Sequence, residues 1–270
     1  MKRKTRLVVL VVGAIAAVAL GLRAVGPIRE YRARAAILDA IQPVTLRNCT
    51  LARVGSANDG GYLMCPNLIE NPGAAYSYGV GANDEWGCSI STRYRIPVHQ
   101  YDCYDPARPA CGTGEFVFHN ECVATRRELL DSYTFDTLAN QIASNGDRGK
   151  RLIVKIDIEG AEWDALLATP DEVLERIDQM PIELHLPKGD FGARRATFLA
   201  VLEKIKRHFY VVNLHFNNNT CSSEAAPLPG WVFQLLLVNK RVGIVDLAKG
   251  TPDPSPLNAP DAPDKPECRL

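Results

Sequence analysis

Several short apolar runs in this chain end in residues that could do chemistry. The sharpest case is residues 152–163, L-I-V-K-I-D-I-E-G-A-E-W. There an apolar run breaks at Asp157, turns through Glu159 and Gly160, and resumes at Ala161 with a helical pattern. A buried parallel strand would deliver Asp157 and Glu159 from its carboxyl end into the crevice where open α/β sheets hold ligands. A second run, Ile182-Glu-Leu-His-Leu186, alternates so that Glu183 and His185 point to one side. A third ends Leu214-His-Phe-Asn-Asn-Asn219 and adds His215 with a set of amides. Converging on one rim, these groups would supply a general base with an orienting acid, or oxygen and nitrogen ligands for a divalent metal. The plainer alternatives are structural histidines and a Lys155–Asp157 ion pair that only sets the loop.

Upstream, Tyr78-Gly-Val-Gly-Ala-Asn-Asp84 joins a strand-like run to a helix-like one. Gly79 and Gly81 allow close backbone approach to a ligand, and the helix start offers free N–H groups. As a dinucleotide fingerprint the loop fails, because the third glycine position falls on Asp84, whose carboxylate would face a pyrophosphate. A ligand with a cationic centre and no phosphate suits it better, which describes S-adenosylmethionine; a purely structural tight turn is the alternative. About twenty residues on, a strand-like run ends in Asp102, where an acid can accept from a ribose hydroxyl pair, with Asp105 as its rival.

Positioning such groups takes alternating strands and helices. Strand-like segments cover 75–79, 98–102, 116–119, 152–157, 180–186, 209–216 and 231–239, with helical patterns at 85–95, 132–144, 162–168, 171–177 and 194–208. That alternation predicts an α/β fold with a mostly parallel sheet. The loop 217–230 has no helical pattern and contains proline, so the last strand is expected to return antiparallel. Thr169-Pro-Asp-Glu172 reads as a capping box with proline at the first helical position. Asp59-Gly-Gly-Tyr62 marks a hairpin turn within 51–64.

The 270 residues carry 31 basic and 31 acidic side chains, so no positive excess points to nucleic acid. Residues 7–22 are uncharged and follow four basic residues; at about 1.5 Å per residue a helix there spans roughly 24 Å against a ~30 Å hydrocarbon core. The expected organisation is a signal-anchor over 1–23, a stalk helix over 24–44, one domain over 45–248 and a disordered proline-rich tail over 249–270. A cleaved signal peptide is the alternative for the N-terminus. Eight cysteines without zinc-ligand spacing behind such a start suggest disulfides and an extracytoplasmic domain, lumenal or periplasmic, with reduced core thiols as the alternative. Asn48-Cys-Thr50 and Asn218-Asn-Thr220 match the glycosylation sequon.

Gly79-Val-Gly81-Ala-Asn83-Asp84 together with residues 155–163, K-I-D-I-E-G-A-E-W, resembles the FkbM-type and related methyltransferase-like families of class I S-adenosylmethionine-dependent methyltransferases. Glu183-Leu-His185, His215-Phe-Asn-Asn218 and Asp59-Gly-Gly-Tyr62 match further positions. The resemblance spans roughly residues 51–239. It implies a Rossmann-like, seven-stranded, mostly parallel sheet with an antiparallel last strand, and methyl transfer to a small or saccharide-like oxygen acceptor. Gly79, Gly81 and Asn83 would line the methionine part of the cofactor, Asp102 the ribose, and Asp59 to Tyr62 a flap, with Asp157 near the transferred methyl. His185 is the expected base, its tautomer fixed by Glu183 or Asp157, with His215 second. Two other readings stand beside it: a binding or scaffold domain without turnover, and a nucleotide-dependent oxidoreductase, which Asp84 disfavours. A divalent metal is compatible with the residues but not required.

Overall fold

A computed structural model describes residue 26 and residues 28–105, 107–189 and 191–269. The expected signal-anchor over 1–23 lies outside these residues. Among the described residues no helix is long and apolar enough to cross a membrane.

Seven strands form the central sheet: β3 (Ala74–Tyr78), β4 (Val98–Tyr101), β5 (Phe116–His119), β9 (Leu152–Ile156), β10 (Ile177–His185), β11 (Phe209–Phe216) and β12 (Val232–Asn239). Their spatial order is β11-β12-β10-β9-β3-β4-β5. β12 alone runs antiparallel, between β10 and β11; the other pairings are parallel. This is a mixed α/β, Rossmann-like sheet with an antiparallel final strand. From β3 the chain steps outward through β4 to β5 and then returns to β9 on the other side. The topological switch point therefore lies between the carboxyl ends of β3 and β9, where such sheets bind ligands.

β9 is buried on both faces, which is why it reads as an almost unbroken apolar run. Val154 and Ile156 join a large core with Tyr76 and Tyr78. Helices pack against this face: α1 (28–40), α3 (Leu138–Ser144), α4 (Glu162–Ala168) and α6 (Phe191–His208). Ile153 points the other way, toward Val54, Tyr62, Met64, Trp86 and Ile90. That face is covered by α2 (Glu85–Tyr94) and the antiparallel hairpin β1 (Ala52–Gly55) and β2 (Gly61–Met64). A small sheet of β6 (Glu121–Val123), β7 (Glu128–Leu130) and β8 (Tyr133–Asp136), ordered β6-β8-β7, sits between β5 and α3. The helical pattern expected from residue 132 begins only at Leu138, because Tyr133–Asp136 is drawn into strand pairing.

Three other expectations change. The stalk is no stalk: Ala33 and Ile37 of α1, and Ile41 just past its end, are buried in the main core, so its apolar stripe belongs to the domain. The capping box at Thr169 does not form; its hydroxyl donates to Ala165 O at 2.7 Å, closing α4, and α5 (Asp171–Leu174) starts without a side-chain cap. The tail is not free: Asn218 Nδ2 donates to the carbonyls of Ala262 and Lys265, Asn213 Nδ2 donates to Asn258 Oδ1, and Cys268 is bridged to Cys221. Composition argued for disorder, but these anchors are long-range.

All eight cysteines pair, as Cys49–Cys65, Cys88–Cys111, Cys103–Cys122 and Cys221–Cys268. Full pairing is what an oxidising compartment sustains. The sequons are a different matter. Asn218 is buried, and Asn48 uses both amide atoms, donating to Val242 O and accepting from Ile244 N.

Candidate functional site

Two cavities meet at the switch point. One, of about 410 Å³, is walled by Asp59, Glu85, Asp102, Asp157 and Glu159, with Lys155 as its one cationic side chain. The other, of about 500 Å³, is largely apolar, lined by Tyr101, Tyr104, Val123, Phe135 and Ile158, with Asp105 at its edge. Gly79, Asp102, Asp157 and Glu159 border both, so the two are halves of one crevice, each of ligand size.

The two glycines have separate jobs. Gly79 has φ +72°, and a Cβ there would lie 1.6 Å from the carbonyl oxygen of Asp157. It lets the ends of β3 and β9 touch, sealed by Asp157 N donating to Tyr78 O at 3.1 Å. Gly81 has φ +52° and nothing within 4 Å of its would-be Cβ, which leaves open space beside the cavity. Asn83 and Gly81 both line the polar half.

Asp102 is clamped rather than free. Its Oδ2 accepts from Gly81 N at 2.9 Å and its Oδ1 from Tyr104 N and Asp105 N at 3.0 and 2.9 Å. A carboxylate has about four lone-pair directions, so roughly one is left for a ligand hydroxyl. Asp105 caps Ala107 N instead. Asp84, which in a dinucleotide fingerprint would have faced a pyrophosphate, turns inward. It caps α2 by accepting from Gly87 N at 2.8 Å and is held by Ser77 Oγ and Gln100 Nε2. The positive end of α2 is thus already neutralised from within, which leaves little there for a phosphate.

Asp157 is supported from two sides. Tyr62 Oη donates to its Oδ2 at 2.9 Å, and Lys155 Nζ lies 3.6 Å from the same oxygen. Burial, then the Asp157 charge, pushes the Tyr62 phenol well above its ordinary range, so it remains a donor. Tyr62 was expected in the flap against the cofactor; its side chain is instead buried under Asp157, while Asp59 reaches the cavity. Lys155 Nζ also donates to the carbonyls of Tyr78 and Gly79, so the ion pair does set the loop, at the cavity wall.

His185 stands in a ring of acids. Its Nδ1 is 3.0 Å from Glu162 Oε1, and its Nε2 is 3.3 Å from Glu159 Oε2 and 3.7 Å from Glu183 Oε1. Burial pulls the imidazole pKa down, but the hydrogen bond and charge of Glu162, with Glu183 and Asp157 behind, carry it up to about 9. These acids favour the protonated ring, the form in which it would give a proton rather than take one. Glu162, not Glu183 or Asp157, fixes its orientation. Glu162 was read only as part of a helix. Its fully buried carboxylate also accepts from Ile158 N and Gly160 N, and so shapes the turn that presents Glu159. The signal for it was its place in the same short block as Asp157 and Glu159.

Glu183 is buried and accepts from Asn217 Nδ2 and Gln234 Nε2 at 3.0 and 2.8 Å. Burial, then the charge of Asp157, raises its pKa to about 8. His215 does not join this group. It sits at the sheet edge, 3.2 Å from Glu267 of the tail, beside a separate cavity of about 330 Å³. Its strand is two removed from β10, so of the polar residues at the end of β11 it is Asn217, not His215, that reaches the rim, at Glu183.

No protein-family model matches the chain, and no curated protein matches it. Of solved structures, the crystal structure of Thermoplasma acidophilum 1320 is similar at a TM-score of 0.31, with 13% identity over 64% of this chain and 77% of that one. That likeness is too distant to bear on the site.

Asp157, Glu159 and His185 each present one ligand atom within 4.8 Å of the others, a set that suits a divalent cation by atom type.

Proposed function

We propose that the crevice binds S-adenosylmethionine and that the chain is an FkbM-like methyltransferase acting on an oxygen acceptor. The observation that carries this reading is the composition of the crevice at the switch point. An open glycine wall at Gly81 and five carboxylates against one lysine adjoin an apolar half with aromatic walls. Five acids repel a pyrophosphate and favour a ligand with cationic centres and a flat base. Gly81, Asn83 and Asp59 would hold the amino-acid part, the remaining lone pair of Asp102 a ribose hydroxyl, and Tyr101, Val123 and Phe135 the base. When bound, the cofactor supplies a methyl group already activated on a sulfonium.

What remains for the protein is positioning and a proton sink. Asp157 borders both halves and is held by Tyr62 and Lys155, so it is the carboxylate placed to take the proton from the acceptor hydroxyl. His185, in its protonated form, would offset the negative charge of Glu159 and Glu162 beside it. Calorimetry with S-adenosylmethionine and with its demethylated product tests the reading. Micromolar binding of both is expected; no heat with either sinks it. A non-catalytic binding domain is the second reading, favoured by the four disulfides, because the cofactor is made in the cytosol and disulfides persist outside it. It predicts the empty titration.

A further inference from the structure

The β7–β8 hairpin carries its apolar residues outward. Leu129 is 74% exposed and Leu130 56%, and Tyr104, 78% exposed, leans against Tyr133 with ring centroids 5.5 Å apart. Leu130 pairs with Tyr133, so the two share a face of the hairpin, and Phe135 on that same strand face lines the apolar half of the crevice. An apolar rim thus runs from the hairpin tip to the cavity mouth. Leucines at a hairpin tip leave water only if something covers them.

Where the chain enters the described region says what that is. Arg34 of α1 donates to Ala226 O at 2.9 Å and lies over the rings of Phe191 and Trp231. Phe191 opens α6 just past the carboxyl end of β10, and Ala226 and Trp231 lie in the connection that follows β11. The amino end of α1, at residue 28, therefore lies at the same end of the sheet as the crevice. The hairpin lies there too, since β6 to β8 follow the carboxyl end of β5 and Cys103–Cys122 ties them to the end of β4. The uncharged run 7–22 stops only six residues before residue 28, a gap that extended chain spans in about 20 Å.

We propose that the hairpin tip, Leu129 and Leu130 with Tyr133 and Tyr104, rests in the interface of the lipid bilayer that receives residues 7–22, so that the crevice opens toward the membrane surface. Two exposed leucines flanked by tyrosines suit such a layer, where apolar side chains insert and aromatic rings sit at headgroup level. The hairpin's acids and arginines nearly balance, so insertion is apolar rather than electrostatic.

The test uses the full chain reconstituted in phosphatidylcholine vesicles, with lipids brominated on the acyl chains as quenchers. The native Trp86, Trp163 and Trp231 are buried and give the background. Leu130→Trp, on the face shared with Tyr133, reports on the tip. Leu247→Trp, at a residue 93% exposed near the opposite end of the sheet, is the control. About twofold stronger quenching of the tip reporter than of the control is expected if the tip inserts. Equal quenching overturns the proposal. A tip reporter shielded from aqueous iodide yet untouched by brominated lipid also overturns it, and assigns the patch to a protein partner or a second copy.

Discussion

Gly79 and Gly81 stand two residues apart in one loop, and alanine should separate their roles. At Gly81 the new Cβ meets nothing within 4 Å, so the fold bears only the left-handed backbone at φ +52°, about 1 kcal/mol. In a domain of this size that lowers the melting temperature by roughly 2–4 °C. At Gly79 the Cβ would stand 1.6 Å from Asp157 O, where ordinary contact needs about twice that distance. The ends of β3 and β9 must part, losing the Asp157 N to Tyr78 O bond and repacking Tyr78. Left-handed strain, overpacking and one hydrogen bond together come to about 3–6 kcal/mol. Urea unfolding read by tryptophan fluorescence measures both variants, and calorimetry with S-adenosylmethionine measures the folded Gly81→Ala protein. The expected pattern is a stable Gly81→Ala with binding weakened at least tenfold, and a crippled Gly79→Ala. Equal stabilities would refute the contact between the strand ends. Undiminished binding by Gly81→Ala would refute the use of this loop as a ligand wall.

The acidic ring should show in the pH dependence of stability. His185 and Glu183 both hold a proton more tightly when folded, at about 9 against 6.5 and about 8 against 4.5. Their contributions are full below the unfolded values and are lost as pH rises through the folded ones. Unfolding free energy should therefore fall between about pH 5 and 9, by up to ~1.4 kcal/mol per pH unit for each proton involved. Denaturant titrations that show a flat profile there would contradict the site geometry. Replacing Cys221 and Cys268 by serine opens a link between residues 47 apart, expected to cost up to about 4 kcal/mol and to free the tail to protease. A tail still protected in that variant would show that Asn218 and Asn213 hold it unaided. Asp84→Asn keeps the shape of the α2 cap but removes its charge, and should cost about 1 kcal/mol by thermal melting; an unchanged melting point would mean the charge does not matter there.

Periodicity made much of this legible. The block 152–163 announced a strand, a turn and a helix, and the alternation of Glu183 and His185 placed both on one side of β10, because a strand's geometry is local. The antiparallel return of β12 followed from the absence of a helical pattern in 217–230. What sequence hid was set by long-range contact. Glu162 looks like any acid in a first helical turn until Ile158 N, Gly160 N and His185 converge on it. Tyr62 looks like a flap residue until the β1–β2 hairpin folds onto the sheet and points its hydroxyl at Asp157. The tail's prolines speak for disorder, and only Asn218 and Cys221, some forty residues earlier, say otherwise.

The arrangement around Glu183 argues that this end of the sheet is more than a strand terminus. A turn presenting Glu159 needs only Glu162, whose carboxylate already satisfies the turn's N–H groups. Glu183 adds a second buried acid beside Asp157, and burying it is unfavourable unless donors meet it. Two do, from different parts of the fold: Asn217 after β11 and Gln234 in β12. Gln234 in turn donates to the buried Asp261 of the tail. Neutral amides hold the carboxyl group in place without forcing it to ionise, whereas an arginine would have fixed it as the anion. The chain thus places no arginine on Glu183, whose proton is held tightly, and the negative potential of the crevice wall comes from the five acids of the polar cavity. A site that concentrates acids while withholding arginine is matched to a ligand that brings its own positive charge, and the sulfonium of the proposed cofactor is such a charge.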